Sequence, residues 1–174
     1  AVPPLKENPA EVDLQEKQQL LAEIERSARI EGIKSTRANY IERFEEVHFE
    51  DSSGNEFSFS ISRSGFSILA VAERGGDMQM GYVRRHVLQD FNLRHRQEDG
   101  KEAAARAIAL LDARTPRGGT MNAVLDPELA GVFAHEAVGH ASEGDLVQEG
   151  SSVLGGRIGE RIGSPVITIV DDPS

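Results

Sequence analysis

Hydrophobic and polar residues recur with a helical period near the start of the chain. From about Pro9 to Glu31, apolar side chains return every three or four positions, and charged residues occupy most positions between them. This pattern predicts an amphipathic helix with one buried face, for which Gly32 is a suitable C-terminal cap. The recurring apolar residues are Leu14, Leu21, Ile24 and Ala28.

The period then shortens to two residues, which is typical of β-strands. Residues 40–50 are rich in β-formers, and Phe57, Phe59 and Ile61 alternate with serines, as in a half-buried strand with one solvated face. Turn-forming residues separate these two segments. Two further strands are predicted at 66–73 and 78–88, so the four segments together predict an antiparallel β-meander.

Helical and extended segments follow in the second half of the chain. Residues 101–111 are strong helix formers, and Asp126-Pro127-Glu128 combines a capping aspartate, a first-position proline and a first-turn acid. Short strands are predicted at 120–125 and 165–170, with a glycine-rich loop at 155–163.

These segments predict an α+β fold in which an antiparallel β-meander packs with amphipathic helices, one of which carries the motif described below. We expect one α+β domain with two parts. Residues 1–98 contribute the first helix and the sheet, and residues 99–174 contribute further helices and strands.

Composition narrows the class of protein. The chain has 29 acidic and 19 basic residues, a formal charge of −10, and no basic stripe, so we predict no direct nucleic-acid partner. No run of about 18 apolar residues occurs, which predicts no membrane association and a cytoplasmic protein. Cysteine is absent, so any zinc ligand within these residues must be His, Asp, Glu or water.

The candidate chemistry lies in the motif H-E-x-x-x-H formed by His135, Glu136 and His140. It is one residue longer than the zinc-protease motif H-E-x-x-H. On a regular helix, residues five apart point roughly 140° away from each other, so two such imidazoles cannot reach one ion. Gly139 is the residue type that permits a left-handed helix end or a wider turn. We therefore predict that the helix is broken or widened at Gly139, which brings His140 toward His135.

The residue types suit a metal-dependent hydrolase. His135 and His140 are the predicted metal ligands, and Glu136 is the predicted general base that takes a proton from water. A third protein ligand is still needed, and Glu143 and Asp145 are the nearby carboxylates. They are interpreted as partners that hold the histidine N–H groups before they are considered as metal ligands, and each alone is equally well explained as a cap or a solvated acid. The other histidines, His48, His86 and His95, are interpreted as ordinary core or surface residues.

The sequence around the motif resembles the TldD/PmbA family of modulators of DNA gyrase. The resemblance rests on HEAVGHASEGD at 135–145, on the preceding LDP and LAGV, and on GSPVITIVDDP at 163–173. The intact histidine motif indicates the TldD type, because PmbA or TldE paralogues generally lack it. The resemblance implies a zinc metallopeptidase that hydrolyses unstructured peptides inside an enclosed dimer, with His135 and His140 matching the zinc ligands and Glu136 the catalytic glutamate.

One departure from the family pattern is the absence of the third zinc ligand. In the family this ligand is a cysteine in a C-terminal β-rich domain, whereas this chain has no cysteine. The resemblance thus implies an internal fragment that lacks an N-terminal part and that C-terminal domain, binds Zn²⁺ weakly and is inactive alone. Expected partners are a peptide substrate and, in a homodimer or heterodimer, a second copy or a PmbA/TldE-like paralogue. The alternative is a non-catalytic binding or regulatory module of such a complex.

Overall fold

The computed structural model describes residues 2–170, and the chain divides into two compact units, Ala1–Pro116 and Arg117–Ser174. In the first unit, a short 3₁₀ turn and two helices accompany a three-stranded antiparallel sheet of order β1-β2-β3. The α+β class and the antiparallel meander are therefore confirmed. The elements are the 3₁₀ turn Pro9–Glu11, α1 (Leu14–Ala28), β1 (Ile33–Glu50), β2 (Glu56–Arg74), β3 (Asp77–Leu88) and α2 (Gln97–Leu110).

The first predicted helix is two elements, because two side chains cap two separate helix starts. The Asn8 side chain accepts a hydrogen bond from the Ala10 N–H at 3.1 Å, which begins the 3₁₀ turn. The Asp13 side chain accepts one from the Gln15 N–H at 2.6 Å, which begins α1.

The core lies between the helices and one face of the sheet. Side chains at alternate positions of β2 point toward α1 and α2 and are almost completely buried. The opposing helix side chains are equally buried, so this face supplies the main hydrophobic stabilisation of the unit. The core residues of β2 are Phe66, Ile68, Ala70 and Ala72, and those of the helices include Ile24, Ala28, Ala103, Ala104 and Ala107.

The prediction of four strands is wrong, because the two segments predicted at 57–62 and 66–73 form the single strand β2. The apolar alternation changes parity between Ile61 and Phe66, which looks like a break in the sequence. In the structure the strand continues, because the backbone N–H of Ser62 donates to the Gln89 side chain at 2.8 Å and the Ser64 hydroxyl donates to the Asp90 carbonyl at 3.1 Å. Buried serines thus replace apolar residues on the helix-covered face.

Helix α2 packs unusually close to its neighbours. A Cβ on Gly81 of β3 would lie 1.9 Å from the Ala103 carbonyl oxygen, and a Cβ on Gly100 of α2 would lie 2.2 Å from the Ile24 carbonyl oxygen. Only glycine allows backbones to approach at these distances. Small residues on both sides therefore fix the position of α2 on the sheet and on α1.

The boundary between the two units lies after Pro116, not after residue 98 as the sequence predicted. Helix α2 was assigned to the second part because its composition changes abruptly there. It belongs to the first unit, since it packs on α1, β2 and β3.

The second unit contains short helical elements. These are α3 (Pro127–Ala134), a five-residue π turn His135–Gly139, a 3₁₀ turn His140–Ser142 and α4 (Gly144–Gln148). The strands predicted at 120–125 and 165–170 are absent, and Val166 is 87% exposed. A strand needs a neighbour to pair its N–H and C=O groups, and the described residues of this unit contain none. Within residues 2–170, no helix has the length and apolar character that crossing a bilayer requires.

The close packing of α2 generates a prediction about stability. Ala107→Leu should lower the free energy of unfolding by about 1–3 kcal/mol, because the larger side chain has no space against Gly81 and β2. Ala105→Leu is the matched control, since Ala105 lies on the exposed side of the same helix and should change the free energy by no more than about 0.5 kcal/mol. Urea unfolding followed by circular dichroism measures both; equal effects would contradict the close-packing account.

Candidate metal centre

The helix that carries the motif begins where the sequence predicts. The Asp126 side chain accepts a hydrogen bond from the Leu129 N–H at 2.8 Å, and Pro127 occupies the first helical turn. Helix α3 then continues for two turns to Ala134. The helix start determines where the motif residues lie along the helix, and therefore which of their backbone groups still need hydrogen-bond partners.

The helix widens at the motif. The backbone N–H of His140 donates to the carbonyl of His135, a hydrogen bond that spans five residues instead of the usual four. The two imidazole rings consequently lie 4.4 Å apart between centroids and meet edge to face at 65°. The prediction of a widened helix that brings His140 toward His135 is confirmed.

Gly139 contributes space and not a left-handed conformation. Its backbone angles, φ −55° and ψ −58°, are ordinary right-handed helical values that any residue adopts. A Cβ at this position would lie 3.3 Å from Nδ1 of His135. The glycine therefore leaves room for the His135 imidazole inside the widened turn.

His135, Glu136 and His140 form a cluster that could hold a metal ion, in which one possible ligand atom from each residue lies within 4.8 Å of the others. The Glu136 Oε2 atom is 3.6 Å from Nε2 of His140, and both side chains are about half exposed or more, at 62% and 48%. Two imidazoles and a carboxylate are a donor set that Zn²⁺ accepts, and exposure leaves room for further ligands. These residues therefore fit a divalent metal ion.

Glu143 orients His140. Its Oε1 lies 2.6 Å from Nδ1 of His140, and this contact, followed by the more distant Glu136 charge, raises the pKa of the imidazole above its ordinary value. A carboxylate that accepts from Nδ1–H leaves Nε2 of the neutral ring as the free lone pair, the arrangement common in metal sites. Because the pKa of His140 is raised, a metal ion must compete with the proton on this imidazole at a higher pH than at an ordinary histidine.

The 3₁₀ turn that follows the motif explains why Glu143 reaches His140. The backbone N–H of Glu143 donates to the His140 carbonyl at 3.2 Å, which places residues 140 and 143 on the same side of the turn. Asp145 does not share this position, because its Oδ1 accepts from the Leu146 N–H at 2.9 Å. The two acids that the sequence treated alike thus have different partners.

Two serines that the sequence did not single out contact the turn. The Ser142 hydroxyl donates to the Val138 carbonyl at 2.8 Å, and the Ser152 hydroxyl donates to the Ala141 carbonyl. These bonds pair carbonyl groups that the irregular helix leaves without helical partners. No sequence signal distinguishes these serines from others in the chain.

The histidines outside the motif take no part in the cluster. Nδ1 of His48 lies 2.7 Å from the Ser58 hydroxyl across the β1–β2 pair, and the His86 ring lies over Gly65 on the sheet. The prediction that they are ordinary structural or surface residues agrees with these positions.

An α+β fold with a His-Glu-His cluster on a widened helix defines a candidate metal-binding protein, and comparison with known proteins identifies its family. Residues 7–111 match the PmbA/TldA metallopeptidase central domain, and residues 118–174 match the PmbA/TldA metallopeptidase C-terminal domain. The chain therefore belongs to the PmbA/TldD family, as the resemblance around the motif predicted.

Individual relatives agree with this assignment. A metalloprotease of Methanothermobacter thermautotrophicus is 36% identical over 169 residues, which cover 95% of this chain and 37% of that protein. A metalloprotease of Methanocaldococcus jannaschii is 38% identical over 166 residues, with 95% and 37% covered. A zinc metalloprotease TldD homolog of Saccharolobus solfataricus is 31% identical over 152 residues, with 82% and 32% covered. The chain thus spans just over a third of the first two relatives.

A solved structure shares the fold. The crystal structure of a Bacteroides thetaiotaomicron protein described as a modulator of DNA gyrase superposes with a TM-score of 0.78 and 19% identity. The match covers 92% of this chain and 37% of that one. At this level of identity the likeness concerns the fold alone.

The position of Gly139 generates a prediction about metal binding. Gly139→Ala should weaken Zn²⁺ binding by roughly tenfold, because the added Cβ pushes against the His135 imidazole and changes its direction. Gly131→Ala is the matched control, since a Cβ there meets no atom within 4 Å. Isothermal titration with Zn²⁺ measures both; an unchanged affinity in Gly139→Ala would show that the space beside His135 is not needed.

The contact between Glu143 and His140 generates a second prediction. Glu143→Gln should lower Zn²⁺ affinity by about 10–100-fold, because the imidazole loses its charged orienting partner. The pKa of His140 should fall toward its ordinary value, since Glu143 is the main cause of its elevation. NMR titration of the imidazole measures the pKa, and Zn²⁺ affinity is compared at a pH where the ring is neutral in both proteins.

Asp145→Asn is the control for Glu143→Gln. It removes the same charge two residues away without touching His140. Equal losses of affinity in the two variants would mean that only the total charge matters, which would refute the orienting role of Glu143.

Proposed function

We propose that the protein is a zinc-dependent metallopeptidase that hydrolyses peptide bonds in unstructured peptides. The observation that carries the proposal is the cluster of His135, Glu136 and His140, whose possible ligand atoms lie within 4.8 Å of one another. The relatives named as metalloproteases, one of them a zinc metalloprotease, support it.

The two imidazoles hold the metal in this proposal. His135 contributes one nitrogen, and His140 contributes Nε2, which the contact between Glu143 and Nδ1 leaves free. When bound, Zn²⁺ supplies Lewis-acid activation of water and of the scissile carbonyl. Glu143 keeps the His140 ring in a fixed direction throughout the reaction.

Glu136 is the proposed general base. Its carboxylate is 62% exposed and lies next to the free nitrogen of His140, so water and a peptide can both reach it. It accepts a proton from the attacking water and then passes that proton to the amine that leaves. A carboxylate used as a base is not available as a permanent ligand, so His135 and His140 remain as the two protein ligands of the described cluster.

Two ligands make a weak site. Catalytic zinc sites normally have three protein ligands, so we propose that the chain alone is inactive and that a further ligand completes the site in the longer protein. A cysteine as that ligand, a dimer with a second copy or a PmbA/TldE-like paralogue, and a cytoplasmic location stay predictions from the sequence.

The test is cleavage of an unstructured peptide by the natural full-length protein. Glu136→Gln should lower kcat by about 10²–10⁴-fold while Zn²⁺ remains bound, because the base is lost and the histidines are kept. His135→Ala should lose both the metal and the activity, and EDTA should abolish cleavage. Glu128→Gln, on the first turn of α3, is the control and should retain activity.

Two results would refute the peptidase proposal. One is cleavage that survives both EDTA and Glu136→Gln. The other is a metal-free natural protein that still engages a partner, which would favour the non-catalytic binding or regulatory module predicted as the alternative.

A further inference from the structure

The sheet of the first unit has a second face, the outer face, that lies opposite α1 and α2. Its side chains alternate with the buried ones, so it consists of the odd-numbered residues 35–49 of β1 and 57–73 of β2 and the even-numbered residues 78–88 of β3. Neither α1 nor α2 covers it, because both pack on the face that carries Phe66 and Ile68.

The outer face is apolar where a solvated face is normally polar. Met80 is 62% exposed and Tyr82 is 48% exposed, and they lie beside the half-buried Leu69 and Val71 of β2. These residues lie in adjacent rows of the sheet, since Leu69 pairs with Tyr82 and Val71 pairs with Met80. An exposed apolar patch of this kind is typical of an interaction surface.

A second apolar cluster lies on the β1–β2 hairpin, which extends past the end of β3. The rings of Phe49 and Phe57 stack at 4.8 Å, and those of Phe57 and Phe59 at 6.2 Å, all on the outer face. Phe49 and Phe57 remain 42% and 51% exposed. Exposed apolar side chains therefore lie toward both ends of the outer face, with Arg43, Arg63 and Arg84 between them.

The charges of the outer face are opposite in sign to those of the chain. The face carries four arginines and two glutamates, whereas the whole chain has a formal charge of −10. Glu45 is paired with Arg43 and Arg63, and Glu73 is paired with Lys34. Among the described residues, the other two arginines of this face, Arg37 and Arg84, form no ion pair.

We propose that the outer face binds an extended polypeptide segment in which acidic and apolar residues recur on one side. Arg37 and Arg84 lie on the two edge strands in adjacent rows, because Arg37 pairs with Leu69 and Arg84 pairs with Ser67, so their Cβ atoms are about 12 Å apart. That is close to the rise of four residues in an extended chain. Carboxylates at positions i and i+4 meet the two arginines, while an apolar side chain at i+2 packs over β2 beside Leu69.

The same charges argue against two other occupants. A second copy that presents this face would bring unpaired arginines against arginines. A nucleic acid would meet two glutamates on the face and a chain with a net negative charge, and only two cations are free to pair with phosphates. An acidic, apolar polypeptide satisfies both the arginines and the exposed apolar side chains.

The test is fluorescence anisotropy with the 174-residue chain and a fluorescein-labelled peptide that repeats Glu-Ser-Leu-Ser three times. EDTA is present, so that the result does not depend on any peptidase activity. The comparison probes are the same peptide with lysine in place of glutamate and a single-stranded DNA of twelve nucleotides. Circular dichroism shows whether each variant remains folded.

The acidic peptide should bind more tightly than either comparison probe, and binding should weaken at high salt. Arg37→Glu, Arg84→Glu and Tyr82→Ser should each weaken it by about tenfold. Arg26→Glu is the matched control, because it makes the same charge change on the exposed side of α1 and should have no effect.

Four results would overturn the proposal. They are tighter binding of the lysine peptide, tighter binding of the DNA, an equal loss in Arg26→Glu, and no binding of the acidic peptide. Sedimentation velocity adds a fifth: self-association that Tyr82→Ser abolishes would show that a second copy occupies the face.

Discussion

The hydrogen bond from the His140 N–H to the His135 carbonyl determines the geometry of the candidate metal site. In a regular helix this N–H would pair with the carbonyl of Glu136, and the two imidazoles would point to different sides. The five-residue turn accommodates the extra residue of the motif without ending the helix, so the rings remain 4.4 Å apart. The space at Gly139 and the contact between Glu143 and His140 matter because this turn has already brought the two histidines together.

Local signals predicted the widened turn that brings the two histidines together. Asp126 and Pro127 mark the helix start, and the spacing of the two histidines requires a distortion that Gly139 makes sterically easy. Glu143 and Asp145 could not be separated in this way, because the choice depends on the 3₁₀ turn after His140, which directs one carboxylate to the ring and leaves the other at a backbone N–H. A sequence shows which acids are near a motif, but not which backbone turn orients them.

Non-local packing limited the prediction of the fold. The meander was predictable because each strand has its own alternation, but the continuity of β2 depends on Gln89 and Asp90, which pair with Ser62 and Ser64 from a distant part of the chain. The assignment of helix α2 to the second part failed for a similar reason, because the position of this helix depends on contacts with distant residues. Its fixed position comes from Gly81 and Ala103, whose contact no helical period reveals. The predicted strand at 165–170 had apolar residues but no partner strand within the described part of its unit.

The change of parity in β2 also explains the outer face. Phe57, Phe59 and Ile61 look like the buried side of a strand, and the serines between them look like its solvated side. The register reverses this interpretation, because the serine side continues the face that α1 and α2 cover, while the phenylalanines belong to the opposite face. Natural sheets avoid exposed apolar faces unless a partner covers them. Strand β2 therefore carries apolar side chains on both faces: Phe66 and Ile68 pack in the core of its own unit, and Leu69 and Val71 lie on the face that we propose binds a partner.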